Sequence, residues 1–170
     1  MPVRKASSAS RPKFPKFAPL TLDSNCLNPD SLDSGINRIM QHETLTHKII
    51  GCAMNVHKAL GNGFQEVIYQ RTLEIEMQRA GLNFAREMEM PIFYRDIQIG
   101  TRRVDFFVEN LIMVELKSLT SLENIHLAQA KNYLEAYKMQ IGLLINFGAN
   151  KLEFKRVYID KPISKNRVNP

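Results

Sequence analysis

The chain has 170 residues, of which 44% are hydrophobic and 24% are charged, as expected for one globular domain. No segment approaches the roughly 20 consecutive apolar residues of a membrane span, and the start lacks the apolar core of a secretory signal. The two cysteines, Cys26 and Cys52, are too few for a disulfide framework and have no metal-ligand spacing. We therefore expect a soluble protein in the reducing cytoplasm, with no membrane partner.

The net charge of +6 lies in the two ends of the chain. Residues 1–20 and 161–170 contain eight of the 23 basic residues and none of the 17 acidic ones, which leaves fifteen basic residues in between. Basic ends of this kind either attract nucleic acid without specificity or are simply solvated termini. Because the central part is slightly acidic, charge by itself is weak evidence for a nucleic-acid partner.

Residues 1–40 are predicted to form a disordered extension, since basic and small polar residues dominate them and hydrophobic periodicity is weak. An acid-free start containing Arg and Ser is also typical of an organelle transit peptide, which is the less favoured interpretation. The folded domain is assigned to residues 41–160, and a basic tail to residues 161–170.

Two amphipathic helices are predicted at the start of this domain, over residues 44–60 and from residue 65 or 66 to 81. Gly61 and Gly63 between them accept left-handed backbone angles and end the first helix. Glu66 lies in the first turn of the second helix, where the helix dipole favours an acid and explains it without a function. Apolar spacings of three and four residues predict these buried residues: Ile49, Ala53, Val56, Leu60, Tyr69, Leu73, Met77 and Ala80.

The remaining segments predict the order α-α-β-β-β-β-α-β-β. Short strands are expected on both sides of Pro91, which favours an edge strand or a break, and a turn is expected at Arg95-Asp96. A helix over residues 122–138 would connect the second hairpin to the wholly apolar strand at 141–147 as a right-handed crossover between parallel strands. The expected class is α/β, with a mixed sheet flanked by helices.

The segment R-V-D-F-F-V-E-N-L-I-M-V-E-L-K, residues 103–117, predicts a β-hairpin that turns at Glu109-Asn110. The turn places Asp105 opposite either Val114 or Glu115, and in the second register the two carboxylates lie about 5 Å apart. Side chains alternate between the faces of a strand. The residues of the other parity are all apolar and are expected to face the core: Val104, Phe106, Val108, Ile112, Val114 and Leu116.

Two carboxylates this close repel each other, unless a cation lies between them or one is protonated. Oxygen ligands at this separation suit Mg²⁺ or Mn²⁺. Lys117 shares a strand face with Glu115 and would hold a water or a phosphate oxygen beside the metal. The alternative is a solvated sheet face whose acidic and basic side chains form ordinary ion pairs.

His126, Gln129 and Tyr133 form a second row on the helix over residues 122–138, beside its apolar face. The apolar face is predicted from Leu127, Ala130, Leu134 and Tyr137. The polar row is either an ordinary boundary face or one that lies towards a site.

Several motifs occur in a fixed order along the chain. G-F-Q-E-V-I-Y at residues 63–69 matches G-x-x-E-x-x-Y, and it is followed by R-x-D, V-E-L-K, H-x-x-Q-x-x-x-Y and L-L-I-N-F-G. From about residue 45 to 158 the chain resembles the GxxExxY proteins, a group placed in the PD-(D/E)xK nuclease superfamily. The resemblance implies a restriction-endonuclease-like core.

In that superfamily a helix acid, a strand Asp and a (D/E)-x-K motif form the metal site. The resemblance therefore implies catalytic roles for Glu66, Asp105, Glu115 and Lys117, with the Leu116 carbonyl as a further metal ligand. Gln129 and Tyr133 match a Q-x-x-x-Y motif of RecB-like nucleases, and Arg103 and His126 are further candidates for supporting the site. The superfamily's Pro before the Asp is Val104 in this chain.

The sequence thus predicts a Mg²⁺- or Mn²⁺-dependent nuclease, a phosphodiesterase that acts on DNA or RNA. The alternative is a catalytically weak or inactive nuclease-fold module that binds nucleic acid or a protein partner. A domain this small is expected to need a partner or a second copy to enclose a duplex, so a homodimer is a possible assembly.

Overall fold

A computed structural model describes residues 33–159, with side chains described from residue 42 onward. The elements are α1 (Asp33–Leu60), α2 (Glu66–Arg79), β1 (Phe84–Tyr94), β2 (Ile97–Val108), β3 (Ile112–Lys117), α3 (Asn124–Ala136), β4 (Ile141–Asn146) and β5 (Glu153–Tyr158). The five strands form one sheet in chain order, in which β3 and β4 are parallel and the other neighbours are antiparallel. The predicted α/β fold, a mixed sheet flanked by helices, is confirmed.

The N-terminal helices form where the periodicity predicts them, but their ends differ. α1 begins at Asp33 rather than near residue 44, so residues 33–40, assigned above to the extension, are helical. Extending a packed helix adds one hydrogen bond for each residue ordered, and this needs no apolar stripe. Ala80 follows the end of α2 and is exposed, not buried as predicted. The rest of the extension and the 161–170 tail lie outside the described residues.

The sheet separates two hydrophobic clusters. The first joins α1 and α2 to one face of the sheet, and the second joins α3 to the other face. β4 lies between them and is buried along its whole length, as expected for a strand covered on both sides. The largest fully buried side chains of the first cluster include Tyr69, Phe106, Phe147 and Ile49. Among the described residues, no helix has both the length and the hydropathy that crossing a bilayer requires.

β1 is one continuous strand of 11 residues, where the sequence predicted two short strands. Pro91 pairs with Thr101 in the ladder, and β1 is at the edge of the sheet, where a missing N–H is tolerated. The predicted turn at Arg95-Asp96 is confirmed, with φ angles of 45° and 63° that fit a type I′ hairpin. The sheet therefore has one strand fewer than predicted.

The second hairpin turns at Glu109-Asn110, as predicted, with φ angles of 50° and 55°. Its ladder pairs Phe106 with Val114 and ends there. Continuing this register brings Asp105 to the level of Glu115, which is the second of the two predicted registers. The site residues therefore lie at the point where β2 and β3 stop pairing.

The alternation of side chains predicted for β2 is interrupted at Asp105. The β1–β2 register omits the pair Glu87–Asp105, and Glu87 has a positive φ of 53°. Val104 packs in the second cluster, whereas Phe106 packs in the first. Strict alternation would place both on one face, so the strand rotates locally at Asp105. All six hairpin residues predicted for the core are nevertheless buried.

Candidate active site

The Asp105 carboxylate is held by two hydrogen bonds where β2 leaves β3. The backbone N–H of Leu116 donates to Oδ2 over 2.8 Å, and the Gln70 side chain of α2 donates to Oδ1 over 2.9 Å. Gln70 is buried, and a buried side-chain amide needs a hydrogen-bond partner, which the Asp105 carboxylate provides. The two bonds fix the carboxylate between the helix and the strand that carries E-L-K.

Glu115 is buried and accepts hydrogen bonds from two cations on a single oxygen. Lys117 Nζ lies 3.0 Å from Oε1, and an Arg102 guanidinium nitrogen donates to the same atom. Within residues 33–159, neither Glu115 Oε2 nor Arg102 Nε has a hydrogen-bond partner, although both atoms are buried. A buried carboxylate oxygen without a donor carries a large desolvation cost, so Oε2 is an available ligand position.

Glu66 is placed by the loop that joins α1 to α2. Gly63 has a φ of 101°, which favours glycine strongly, and the helix begins at Glu66. The Tyr69 hydroxyl donates to Gly61 O over 2.9 Å and accepts from Phe64 N over 3.2 Å. The spacing G-x-x-E-x-x-Y thus has a physical basis: the glycine turns the chain, the tyrosine ties the turn to the helix, and the acid lies between them.

The environment of the site raises the pKa values of two of its carboxylates, Glu66 and Asp105. Burial raises the pKa of Glu66 above its ordinary value, and the charges of Asp105 and Glu115 raise it further, while Lys117 and Arg102 oppose the rise. Burial likewise raises the pKa of Asp105. The hydrogen bond from the Leu116 N–H lowers this pKa, and the charge of Glu115 raises it. Such mutual repulsion is what a cation bound among the carboxylates would relieve.

The donor set fits a hard divalent cation, because it consists of carboxylate oxygens and one of them is buried without a donor. In the described geometry, no three His, Cys, Asp or Glu side chains are yet arranged closely enough to hold a metal ion. Arg102 and Lys117 occupy Glu115 Oε1 instead. Residues of the right chemistry are therefore together, and a cation bound through Glu115 Oε2 would lie beside two positive charges that compete with it for this carboxylate.

The four predicted supporting residues are distributed differently. Tyr133 lies beside the site, because the Arg102 guanidinium stacks 4.6 Å from its ring centroid. Gln129 is exposed on α3. His126 Nδ1 accepts the Glu123 N–H over 3.0 Å as part of the capping box of α3. Arg103 points elsewhere, with its side chain 64% exposed and 3.8 Å from Glu87.

Two residues that the sequence reasoning missed contact the carboxylates, namely Arg102 and Gln70. Arg103 was the arginine expected to support the site, but the rotation of the strand at Asp105 brings Arg102 to Glu115 instead. Gln70 directly follows Tyr69 of the motif, and only the packing of α2 on the sheet shows that it reaches Asp105. Nothing in the local sequence distinguishes either residue.

Comparisons with known proteins identify the family of this chain. A solved structure titled "Crystal structure of SSO0001" is 19% identical, with a TM-score of 0.46 over 58% of this chain and 52% of that one. The chain thus spans about half the length of that protein. No curated protein is significantly similar. A family model described as the PD-(D/E)XK nuclease superfamily matches residues 43–157, which include every carboxylate of the site. By this match over most of its length, the chain belongs to the PD-(D/E)XK nuclease superfamily.

Proposed function

We propose that this protein is a metal-dependent nuclease of the GxxExxY group, which hydrolyses phosphodiester bonds in nucleic acid. The observation that supports the proposal is the position of Asp105, Glu115 and Lys117 at the end of the β2–β3 ladder, with Glu66 near enough for their charges to act on its pKa. Superfamily membership supplies the reaction class, and the fit of the carboxylates to a hard cation supports the cofactor, Mg²⁺ or Mn²⁺.

Each residue of the site has a distinct role in this proposal. Glu66, Asp105 and Glu115 would hold the cation, together with the Leu116 carbonyl. The bound cation lowers the pKa of a water and offsets the charge that develops on the scissile phosphate. Lys117 orients or deprotonates the attacking water, or donates to the phosphate oxygen. Gln70 and the Leu116 N–H keep Asp105 in position.

The second candidate is a nuclease-fold module that binds nucleic acid or a protein partner with little or no turnover. One observation favours it: Glu115 is already neutralised by Arg102 and Lys117, so the apoprotein does not depend on a cation for charge balance. The two candidates differ in metal dependence, since an inactive binder would bind its partner equally well without a divalent cation.

Calorimetry tests the metal site directly. Wild type and the variant Asp105→Asn/Glu115→Gln would be titrated with Mn²⁺ and Ca²⁺, with Glu74→Gln as the control for loss of a carboxylate. Glu74 is a suitable control because its carboxylate pairs with Arg86 over 2.6 Å and not with a residue of the proposed metal site. We expect binding in wild type and the control, and none in the double variant. Equal binding by all three proteins would exclude the assigned ligands.

Cleavage assays test the reaction. A panel of single- and double-stranded DNA and RNA would be incubated with Mg²⁺ or Mn²⁺ and wild type, Asp105→Ala, Lys117→Ala or Lys155→Ala. Lys155 is an exposed lysine on β5 and controls for the loss of a positive charge. We expect both site variants to lose cleavage and the control to retain it. Full activity in either site variant would disprove the assigned mechanism, and binding without cleavage by wild type would favour the second candidate.

A further inference from the structure

A cleft of about 560 Å³ opens beside Glu66, on the side of the glycine loop. Three loops form it: the turn before α2, the segment after β3 and the segment after β4. Its lining residues are Gly63, Phe64, Gln65, Glu66, Ser118, Leu119, Thr120 and Gly148. Because Glu66 belongs both to the cleft and to the carboxylate group, the cleft is continuous with the proposed catalytic site.

The cleft has the composition of a site for a base and sugar rather than for a phosphate. Glu66 is the one charged residue among the described residues that line it, and its sign repels phosphate. The remaining lining offers the hydroxyls of Ser118 and Thr120 and the apolar side chains of Phe64 and Leu119. Lys117, directly before this segment, supplies the positive charge that a neighbouring phosphate needs.

Phe64 is both exposed and firmly held. Its side chain is 47% exposed, and its ring meets the Tyr69 ring edge-on, with centroids 6.2 Å apart. The Ser118 hydroxyl donates to Phe64 O over 2.7 Å, and the Tyr69 hydroxyl accepts the Phe64 N–H. A large aromatic side chain at the surface of an immobilised loop loses little entropy when a planar ligand stacks on it.

The opposite wall of the cleft is equally constrained. A Cβ atom added to Gly148 would lie 2.5 Å from the Leu119 carbonyl oxygen, so these two backbones are in close contact. The buried Asn146 side chain bonds both the N–H and the C=O of Leu119, each over 2.9 Å. The cleft is therefore preformed rather than an opening between mobile loops.

We propose that this cleft binds one unpaired nucleotide next to the scissile phosphate, with its base stacked on Phe64. This inference rests on the proposed nuclease function and names its substrate class. A base can stack on a side chain only when it has left its neighbours in the duplex, and unstacking costs a few kcal/mol. The preferred substrates are therefore single strands, or duplexes with an unpaired stretch at the cleavage position.

The chain offers a direct probe, since its sequence contains no tryptophan. Phe64→Trp introduces the only tryptophan of the chain, at the cleft, where its emission can be excited selectively over that of the five tyrosines. The matched control is Ile75→Trp on α2, because Ile75 is 49% exposed and about two and a half helical turns from Glu66. Each protein would be titrated, in a buffer containing Ca²⁺, with an unlabelled single strand of 12 nucleotides and with a duplex of the same sequence. Binding would be measured in parallel by anisotropy of labelled oligonucleotides.

We expect the single strand to quench the tryptophan fluorescence of Phe64→Trp, and the midpoint of this titration should equal the midpoint measured by anisotropy. The fluorescence of Ile75→Trp should not change. A saturating duplex should quench the fluorescence of Phe64→Trp much less. Phe64→Ala should weaken single-strand binding about tenfold, and Phe64→Tyr should restore it, whereas Ile75→Ala should have no effect. Thermal unfolding of each variant verifies folding, and the fluorescence result stands independently if Phe64→Ala does not fold.

The outcomes separate this inference from the function on which it rests. If wild type binds or cleaves oligonucleotides but neither the quenching nor the Phe64→Ala effect is seen, the base-stacking cleft is disproved and the nuclease proposal survives. Equal quenching by duplex and single strand would likewise overturn the substrate class. If wild type neither binds nor cleaves any member of the panel, the proposed function fails, and this inference fails with it.

Discussion

The backbone N–H of Leu116 donates a 2.8 Å hydrogen bond to the carboxylate of Asp105 at the point where their two strands stop pairing. The ladder between β2 and β3 ends at Phe106 and Val114, so a side chain takes the place of the next backbone acceptor. A buried N–H almost always needs such a partner. The carboxylate therefore stabilises the end of the ladder, in addition to its proposed role as a metal ligand.

Substitutions of Asp105 should distinguish its contribution to stability from its proposed role in metal binding. Asp105→Asn retains an oxygen for the Leu116 N–H, and the Gln70 amide can rotate to pair with the new amide, so we expect a stability within about 1 kcal/mol of wild type. Asp105→Ala leaves the buried N–H without an acceptor and should lower the unfolding free energy by about 1–3 kcal/mol. Urea denaturation measures both. If the two variants were equally stable, the bond to Leu116 would contribute nothing.

The pH dependence of stability follows from the same carboxylates. Burial raises the pKa of Asp105 above its ordinary 3.8 and that of Glu66 above its ordinary 4.5, so the folded metal-free protein binds their protons more tightly than the unfolded chain does. Below the ordinary values both states are protonated and the groups have no effect. As pH rises from there to the raised values, these two groups lower the unfolding free energy, and above the raised values the loss is complete.

The measurement is urea denaturation in EDTA from pH 3 to pH 8, comparing wild type with Asp105→Asn. We expect the stability of the variant relative to wild type to increase with pH, because only wild type pays for burying the ionised carboxylate. A constant difference across this range would show that the Asp105 pKa is not raised.

Arg102 and Arg103 are neighbours in sequence with different predicted effects on metal binding. Arg102 shares Glu115 Oε1 with Lys117, so Arg102→Gln removes a cation that competes for the ligand. We expect Mn²⁺ to bind about two- to fivefold more tightly in calorimetry, a modest gain because the guanidinium is about one-third exposed. Arg103→Gln is the matched control and should change the affinity by less than twofold. The reverse order would mean that Arg103 is the residue nearer the cation.

Two glycine substitutions should have opposite effects on stability. Gly148→Ala drives a Cβ atom into the Leu119 backbone, which cannot move aside as a flexible side chain can, so we expect a loss of about 1–3 kcal/mol. Gly51 is exposed within α1 with nothing within 4 Å of an added Cβ, and Gly51→Ala should gain about 1 kcal/mol. Urea denaturation should give a lower midpoint for Gly148→Ala and a higher midpoint for Gly51→Ala than for wild type. An unchanged stability of Gly148→Ala would show that the backbone at Leu119 can move to accommodate the added Cβ atom.

Local patterns in the sequence predicted most of the fold correctly. Buried residues such as Ile49 and Leu73 follow from apolar spacing, and both hairpin turns follow from a polar pair between apolar runs that ends in Asp96 or Asn110, which tolerate positive φ. These features depend on neighbours within a few positions, where periodicity and turn chemistry act. The start of α1 was less accurately predicted, because a packed helix can be extended without an apolar stripe.

The composition of the site was only partly accessible from the sequence. The motif residues Asp105, Glu115 and Lys117 could be named in advance, since strand alternation and the resemblance to nucleases both select them. Whether each predicted residue performs its assigned role stays a prediction for the experiments above. Their hydrogen-bond partners could not be named, because Gln70 and Arg102 reach the carboxylates only after α2 has packed and the strand has rotated.

What the sequence by itself determined is most of the elements, their apolar faces and the acidic motif residues, all of which are encoded by spacing along the chain. Only the tertiary structure decided which arginine meets Glu115, how Asp105 is bonded and where a cleft opens beside Glu66. The reason is physical: these contacts join residues distant in the chain, and the irregular position at Asp105 changes the faces on which Val104 and Arg102 lie.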